Sequence, residues 1–319
     1  MTMRIQRCVL VLTTLLSTPA LFASQRTFVS AEIGVDTNPC TRVAPCRSFT
    51  AALAVTDSDG EVIAVDSGGY GPATIAQAVS ITAPRGVQAG VTATSGNAIT
   101  INTLSSANVL LKNLSLTGAG ATYGVNVQTV GSLVIDGCTT ADFSLRGISF
   151  LTSNSGARLL VIDSVVRRSF DAGIVIASTN GRAMLDAVSI VDCSIGVDVV
   201  GTDVMIRNSI VAGANTSGFT AAPFARLVIA NSIARGNAIG FEAYSSGVLV
   251  MSNCTAVDNY LYGVEARQTN TIIDIAGSTI AMNATGIAMS GGGTVNSRGN
   301  NTLESNTTDG AFSALFAAQ

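Results

Sequence analysis

The sequence predicts an all-β fold: a single-stranded right-handed parallel β-helix (a solenoid) with an N-terminal capping helix. Short stretches of alternating apolar residues recur with a period of 22 to 24 residues, as at Val204, Leu227, Leu249 and Ile273. Each is followed by a polar turn and then by a Gly that opens a second alternating stretch, as at Gly240. Strands this short are not stable alone, so successive copies must stack in parallel around one core. We expect roughly eight to ten such coils.

A column of asparagines gives the register of the stack. They stand at one turn position, shortly before the recurring Gly of each coil. We expect an inward ladder in which each amide bonds to the next, because a buried amide without partners costs about 1–3 kcal/mol. Phe143, Phe170 and Cys193 precede them in the same column. The ladder is predicted to contain Asn215, Asn237, Asn259, Asn283 and Asn306.

The two ends of such a cylinder expose unpaired strand edges and therefore need caps. At the amino end, Ser48 can cap a short helix whose apolar side covers the first coil. At the carboxyl end, Phe312, Leu315 and Phe316 form an apolar tail that can close the last coil. We divide the chain into a signal peptide (residues 1–23), a capping segment with the helix (24–60), the β-helix (61–306) and a C-terminal cap (307–319).

The first residues indicate export. Arg4 and Arg7 precede an apolar stretch that leads to the small residue Ala23, which is the pattern of a secretory signal peptide. The stretch is too short to cross a bilayer, so we expect a secreted, periplasmic or cell-surface protein without a membrane span. In an oxidising compartment, Cys40 and Cys46 are predicted to form a disulfide.

Composition excludes several classes of function. Charged residues make up 12% of the chain and the net charge is −3, so we expect no nucleic-acid partner. The chain has no His, which removes the usual general base near neutral pH and the commonest metal ligand. Any catalysis must therefore use carboxylates, Arg, Lys112, Tyr or hydroxyls. We expect a monomer, and Ca²⁺ is the one cofactor that the sequence leaves open.

The opening of the mature chain resembles a known family. The segments Phe28-Val-Ser30, Asn38-Pro-Cys40, Pro45-Cys-Arg47, Val62-Ile-Ala-Val65 and Gly69-Tyr70 look like the first part of the pectin-lyase-like superfamily. The resemblance implies a capping helix, a first core strand and a first coil, followed by generic coils. The superfamily includes pectate lyases, polygalacturonases, pectin methylesterases, phage tailspikes and exported bacterial coil proteins of unknown role. No catalytic motif of its enzymes can be placed on this sequence residue by residue.

Outward side chains of successive coils form straight rows, and one of the predicted rows is charged. Each member follows the second inward apolar residue of its coil. Its three acids, Asp136, Asp163 and Asp186, are bounded by a cation at each end, so they can bind Ca²⁺ or the hydroxyls of a sugar. A solvated ladder of ions is the simpler alternative, because exposed ion pairs contribute little. The full row is Lys112, Asp136, Asp163, Asp186 and Arg207.

A second outward row follows the recurring Gly and ends in two acids on adjacent coils, Glu242 and Glu265. Two carboxylates about 5 Å apart are what a retaining glycosidase needs, so these two are the candidate catalytic residues. An exposed polar surface is again the simpler alternative. The remaining members are Asn126, Ser149, Val175, Asp198 and Thr220.

Two tyrosines are candidates for contact with sugar rings. Tyr260 and Tyr262 are predicted to lie in the turn after Asn259, where aromatic rings can stack on a ligand. Closure of that turn over the core explains them equally well.

Three functions fit these features. The first is an exported β-helix scaffold protein that binds extracellular or cell-surface polysaccharide without catalysis. The second is a polysaccharide lyase or glycoside hydrolase that acts through surface carboxylates, with Arg182 or Arg207 binding a uronate. The third is a structural or adhesive surface protein. The nearly uniform coil lengths leave little chain for the walls of a cleft, which favours the first.

Overall fold

A computed structural model of the protein describes residues 24–316, so the predicted signal peptide and residues 317–319 lie outside the described residues. Within this range, the chain winds into three parallel sheets of 13, 11 and 10 strands and one α-helix. No helix among the described residues has the length and apolar character needed to cross a membrane. The eleven strands of the second sheet mark eleven coils, more than the eight to ten expected. The expected number was too low because the two coils before Asn108 lack the repeat seen in the sequence.

The strands are numbered in chain order and grouped here by sheet. The first sheet contains β1 (Ser24–Val29), β2 (Thr56–Ala64), β5 (Val79–Thr82), β8 (Asn108–Lys112), β11 (Ser132–Asp136), β14 (Arg158–Ile162), β17 (Arg182–Asp186), β20 (Asp203–Arg207), β23 (Arg226–Ala230), β26 (Val248–Ser252), β29 (Ile272–Ala276), β32 (Thr294–Ser297) and β34 (Ala314–Leu315). The second contains β3 (Gly68–Gly69), β6 (Ala89–Ala93), β9 (Leu114–Gly118), β12 (Thr139–Ala141), β15 (Val165–Arg167), β18 (Ser189–Val191), β21 (Ile210–Ala212), β24 (Ile233–Arg235), β27 (Thr255–Val257), β30 (Thr279–Ala281) and β33 (Thr302–Glu304). The third contains β4 (Ala73–Ile75), β7 (Asn97–Asn102), β10 (Tyr123–Thr129), β13 (Arg146–Thr152), β16 (Ala172–Ser178), β19 (Ile195–Val200), β22 (Ser217–Ala221), β25 (Ile239–Tyr244), β28 (Tyr262–Arg267) and β31 (Thr285–Ser290).

The core is built from alternate side chains of each strand. In β11 the inward residues Leu133 and Ile135 are fully buried, and in β13 the same holds for Ile148 and Phe150. In these two strands each inward residue lies over its counterpart in the neighbouring coil, because the pairing is parallel and without offset. The predicted right-handed parallel β-helix is therefore confirmed.

Strand β14 has a register one residue away from the predicted one. Its inward residues are Leu159 and Val161, which are buried, whereas Leu160 and Ile162 face outward. Four consecutive apolar residues fit either face of a strand, and a shift by one residue exchanges the two faces. The prediction for this coil was wrong for that reason.

Each coil turns at residues in the left-handed conformation. The corner after the first-sheet strand is formed by Asn113, Asn208, Asn231 and Asn253 in four of the coils, with φ between 50° and 56°. Asn adopts this conformation at little cost, which accounts for its frequency in the repeat. Asp163 occupies the same corner in its own coil, with φ of 48°.

The asparagine ladder runs inside the carboxyl-terminal half of the cylinder. The Nδ2 group of Asn237 donates to Oδ1 of Asn259 (3.1 Å), Asn259 donates to Asn283 (2.8 Å), and Asn283 donates to Asn306 (2.9 Å). Each Oδ1 also accepts the backbone N–H of the ladder residue one coil before it, as between Asn237 and Asn259 (3.1 Å). Asn306 is half-buried and closes the series on Asp309.

Two members of the predicted column were placed wrongly by one residue. Asn215 is exposed, and the Oδ1 group of Asn237 instead accepts the N–H of Ala214 (2.8 Å). Phe170 is also exposed, and the buried Ser169 takes its place. In both coils a small residue, Ala214 or Ser169, fills the inward position. The following residue, Asn215 or Phe170, matches the column in sequence but faces solvent.

A close backbone approach explains the recurring Gly. A Cβ on Gly240 would lie 2.5 Å from the carbonyl oxygen of Gly263 and 2.9 Å from Nδ2 of Asn259. Only glycine leaves room for the ladder amide at this position.

The amino-terminal cap has the predicted parts. Helix α1 (Phe49–Val55) begins after Ser48, whose side chain accepts the N–H of Ala51. Its buried residues Phe49, Ala52 and Leu53 cover the first coil. The disulfide between Cys40 and Cys46 is present and ties down the loop that lies on β1.

At the carboxyl end, β34 pairs with β32 and Phe312 packs against the core. Phe316 lies against the guanidinium of Arg298, 5.3 Å from its ring centre. Leu315 is exposed and does not contribute to closure, so this part of the predicted tail was wrong.

Candidate functional site

The second outward row of the sequence lies on the third sheet in continuous register. Each member pairs with the next, so the row crosses seven neighbouring strands without a break. We call it the outer row: Asn126, Ser149, Val175, Asp198, Thr220, Glu242 and Glu265.

Much of the outer row is buried although it lies on the outside of the cylinder. Ser149, Val175, Thr220 and Glu242 are at most 4% exposed. Polar side chains buried in this way are normally hydrogen-bonded, and a buried polar atom without a partner carries a free-energy cost. The part of the row from Asp198 to Glu265 has both kinds.

Glu242 is the fully bonded member. Its Oε2 accepts the hydroxyl of Ser217 (2.5 Å), and its Oε1 accepts the Nε–H of Arg267 (2.8 Å) and a second N–H of the same guanidinium. The guanidinium of Arg267 also lies over the ring of Tyr244, 4.6 Å from its centre, and Nε is 3.9 Å from Glu265. Arg267 therefore links both predicted catalytic carboxylates to Tyr244.

Asp198 and Thr220 are the members without partners. They pair in adjacent strands, and neither Asp198 Oδ1 nor Thr220 Oγ1, both buried, has a hydrogen bond within residues 24–316. Burial raises the pKa of Asp198 to about 6; Arg146 opposes the shift, while Asp171 and Glu242 add to it. Arg146 itself is held by Asp171, with Nε 2.8 Å from Oδ2.

Glu265 and Tyr244 complete the group. Burial and the neighbouring Glu242 raise the pKa of Glu265, while Arg267 lowers it. Burial also raises the pKa of Tyr244, and the charges of Asp198 and Glu242 add to the effect. We call the six residues that converge here the carboxylate site: Asp198, Thr220, Glu242, Tyr244, Glu265 and Arg267.

The charged row predicted on the first sheet is interrupted in the structure. Lys112 pairs with Asp136 and Asp186 pairs with Arg207, but Ile162 stands between the two pairs. Asp163 is the next residue along and forms the exposed corner described above, so its place in the row was predicted wrongly. The cause is the one-residue shift of β14.

The three acids predicted for this row do not converge on one point. Lys112 Nζ is 2.6 Å from Asp136 Oδ2, and Arg207 Nη2 is 2.7 Å from Asp186 Oδ2, so both acids are taken by cations. Within the described part of the chain, no three acidic or thiol side chains cluster as metal ligands do. The described residues therefore give no support to the grouping of Asp136, Asp163 and Asp186 around Ca²⁺.

Lys112, Asp136 and Asp163 do line one shallow groove, of about 640 Å³, together with Arg26, Glu61 and Arg85 near the amino end. Its charges balance, since three cations face three acids.

The two tyrosines lie in different settings. Tyr260 is exposed in the turn, as predicted, and its hydroxyl donates to the carbonyl of Asn215 two coils away (2.7 Å). Tyr262 is instead the first residue of β28 and is half-buried. The turn is one residue shorter than the sequence suggested.

The sequence pattern placed Asp198 in the correct row but did not select it, and it did not relate Tyr244 or Arg267 to that row. A charged or aromatic residue two positions after a row residue lies beside that row on the same face of the sheet. That spacing relates Glu242 to Tyr244 and Glu265 to Arg267, and it is the signal that identifies the flanking residues.

Comparison with known proteins supports the fold. A family model described as a right handed beta helix region matches residues 172–315. The chain is similar to the crystal structure of the pectate lyase Pel9A, with 18% identity, a TM-score of 0.65, and coverage of 90% of this chain and 80% of that one. It is also similar to XylC in complex with xylose, with 8% identity, a TM-score of 0.61, and coverage of 83% and 69%. No curated protein sequence matches the chain. Identities this low show a likeness of fold alone, and the fold they share with this chain is the right-handed parallel β-helix.

Proposed function

We propose that this chain, which has a right-handed parallel β-helix fold, is an exported scaffold that binds extracellular or cell-surface polysaccharide without catalysis. The disulfide that pins its amino-terminal segment fits an oxidising compartment outside the cytosol. We place the binding surface on the outer row of the third sheet, centred on the carboxylate site.

One observation carries the proposal: Asp198 and Thr220 present adjacent buried oxygen atoms that have no hydrogen-bond partner in the described chain. A carboxylate accepts and a hydroxyl both donates and accepts, which complements the hydroxyl groups of a sugar. Leaving such groups unpaired costs about 1–3 kcal/mol each, and a ligand that bonds both recovers that free energy.

The neighbouring residues suit the same ligand. Glu242 is already saturated by Ser217 and Arg267, so it holds Arg267 and Tyr244 in place and is not free to bind. Strands repeat about every 4.8 Å along the row, which lets an extended polymer contact several coils at once. Flat, repeated contact of this kind needs no deep cleft.

The test is a glycan array probed with the wild-type protein and with Asp198→Asn and Thr220→Val, in Ca²⁺ and in chelator. We expect wild-type binding to survive chelation and each variant to lose about tenfold or more in affinity, the equivalent of one good hydrogen bond. Asp163→Asn is the matched control for a lost carboxylate, and Thr140→Val is the control for a lost unpartnered hydroxyl inside the core. Silence on every glycan, or wild-type affinity in Asp198→Asn, contradicts the proposal.

A second candidate function is polysaccharide cleavage. The buried, unpartnered Oδ1 of Asp198 on the outer row favours it, together with the raised pKa of about 6 at that carboxyl group. A carboxyl group that titrates near neutral pH is suited to exchange a proton with a substrate. The predicted pair Glu242 and Glu265 is less suited, because Arg267 engages both. A degradation screen with wild-type and Asp198→Asn protein separates the two functions: product from the wild type alone supports cleavage.

A further inference from the structure

The outer face of the first sheet carries a continuous apolar row that the proposed function does not use. Its members pair strand by strand from β8 to β26. At the carboxyl-terminal end they are well exposed: Met205 by 47%, Val228 by 40% and Val250 by 38%. We call this row the apolar stripe: Leu110, Val134, Leu160, Met184, Met205, Val228 and Val250.

Exposed apolar rows of this length are uncommon on monomeric proteins and mark interaction surfaces. Seven coils at about 4.8 Å, with a mostly polar and charged row on each side of the stripe, make a patch of about 700 Å² per molecule. Val134, Leu160, Met184 and Met205 line a shallow groove within it. The patch area is near the lower end of specific protein interfaces, so a reversible complex is expected.

The two margins of the stripe carry opposite charges at matching heights. On one margin, Arg182 and Asp203 follow each other in adjacent strands, and on the other margin Asp186 and Arg207 stand at the same two heights. Arg158 and Arg226 extend the first margin. All three arginines of that margin are exposed, and none makes an ion pair within residues 24–316.

We propose that the apolar stripe is a self-association surface on which a second copy of this chain packs side by side, with the two cylinders parallel. With a two-fold axis parallel to the cylinders, each stripe residue faces the same residue of the second copy. Each margin then faces the other margin of the second copy at the same height. Arg182 then faces Asp186 of the second copy, and Asp203 faces its Arg207, so the Asp186–Arg207 pair within each copy meets the opposite charges of the other copy. An axis along the strands sets like margins together. Centred on β17 it brings Arg182 against Arg182, and centred between β17 and β20 it brings Arg158 against Arg226; both contacts are unfavourable.

This arrangement departs from the monomer expected from the sequence, and it leaves the third sheet with its carboxylate site uncovered. The stripe belongs to the first sheet, so dimer formation and glycan binding can be tested independently.

The first test is sedimentation of the purified protein at micromolar concentrations. We expect a monomer–dimer equilibrium for the wild type and a monomer for the variant Met205→Glu with Val228→Glu. Leu151→Glu is the matched control, because Leu151 is exposed by 43% on the third sheet, and it should dimerise like the wild type. A wild type that stays monomeric, or a double variant that still dimerises, overturns the proposal.

The second test fixes the orientation and does not depend on disruptive variants. Packed sheets lie about 10 Å apart, too far for a direct disulfide, so a short bismaleimide is the suitable cross-linker. We expect Val134→Cys alone and Val250→Cys alone each to give cross-linked dimers. The native free thiols Cys138, Cys193 and Cys254 are buried and should not react. Cross-linking only in a mixture of the two variants, or in neither, overturns the parallel dimer.

Discussion

Arg267 binds the one carboxylate oxygen of Glu242 that Ser217 leaves free, and it does so from the neighbouring coil. The Glu242 side chain is only 3% exposed, whereas Arg267 is 41% exposed. A buried carboxylate depends on its cation, because an uncompensated charge in this position is strongly unfavourable. The pair therefore joins β25 and β28 on the outside of the cylinder.

Arg267→Met should lower the free energy of unfolding by about 3 kcal/mol, because it leaves Glu242 buried with Ser217 as its only partner. Arg267→Lys should lower the free energy of unfolding by a smaller amount, because it keeps a positive charge beside Glu242. Urea denaturation measures both. Arg168→Met is the matched control, since Arg168 and Asp142 form an exposed pair whose loss should cost less than about 1 kcal/mol. Equal effects at the two sites would show that the burial of Glu242 is unimportant.

Asp198 should make the protein less stable as pH rises from about 4 to about 6. Its pKa in the folded protein is about 6, above the ordinary value of 3.8, so the folded state holds a proton that the unfolded state has lost in this window. The change should reach about 1–3 kcal/mol and level off above pH 6. Melting temperatures of wild-type and Asp198→Asn protein across this range measure it. If Asp198 does not titrate in this range, the difference in melting temperature between the two proteins should stay constant.

Asn259→Ala should cost about 2–4 kcal/mol, because it leaves the side-chain and backbone N–H groups of Asn237 without their acceptor. Asn215→Ala is the control, since Asn215 is exposed and outside the ladder. Chemical denaturation of both variants measures the difference. Comparable losses at the two positions would contradict the internal ladder.

Gly240→Ala should destabilise the fold strongly, because its Cβ would meet the carbonyl of Gly263 and the amide of Asn259 at less than 3 Å. Gly69→Ala, where nothing lies within 4 Å of the added Cβ, should be close to neutral. Thermal unfolding of the two variants gives the comparison. A stable Gly240→Ala protein would mean that the coils can separate at this turn without loss.

The sequence was sufficient for the fold wherever glycine marks the strand unambiguously. All seven members of the outer row fall in register, because a Gly two residues before each fixes which side chains face inward. The helix after Ser48 and the disulfide followed from equally local signals.

The errors share a physical cause. Around Leu160, and at Asn215 and Phe170, neighbouring residues are interchangeable by pattern, so the choice of inward face depends on contacts with the coils on either side. The burial of Asp198 and Thr220 also depends on side chains from other coils, among them Tyr244 and Arg267. A sequence pattern read along one strand does not contain that information.

Strand pairing joins each of the eleven coils only to its neighbours, so the length of the cylinder is adjustable in whole units. Val204 and Leu227 occupy the same position in consecutive coils. Removing residues 204–226 would join Asp203 to Leu227 with every file of side chains still aligned, and both end caps untouched. The cylinder would shorten by about 4.8 Å, one strand spacing. The number of coils therefore sets how long a stretch of polymer the cylinder can contact. Duplication or loss of one coil changes that length while the core packing stays the same.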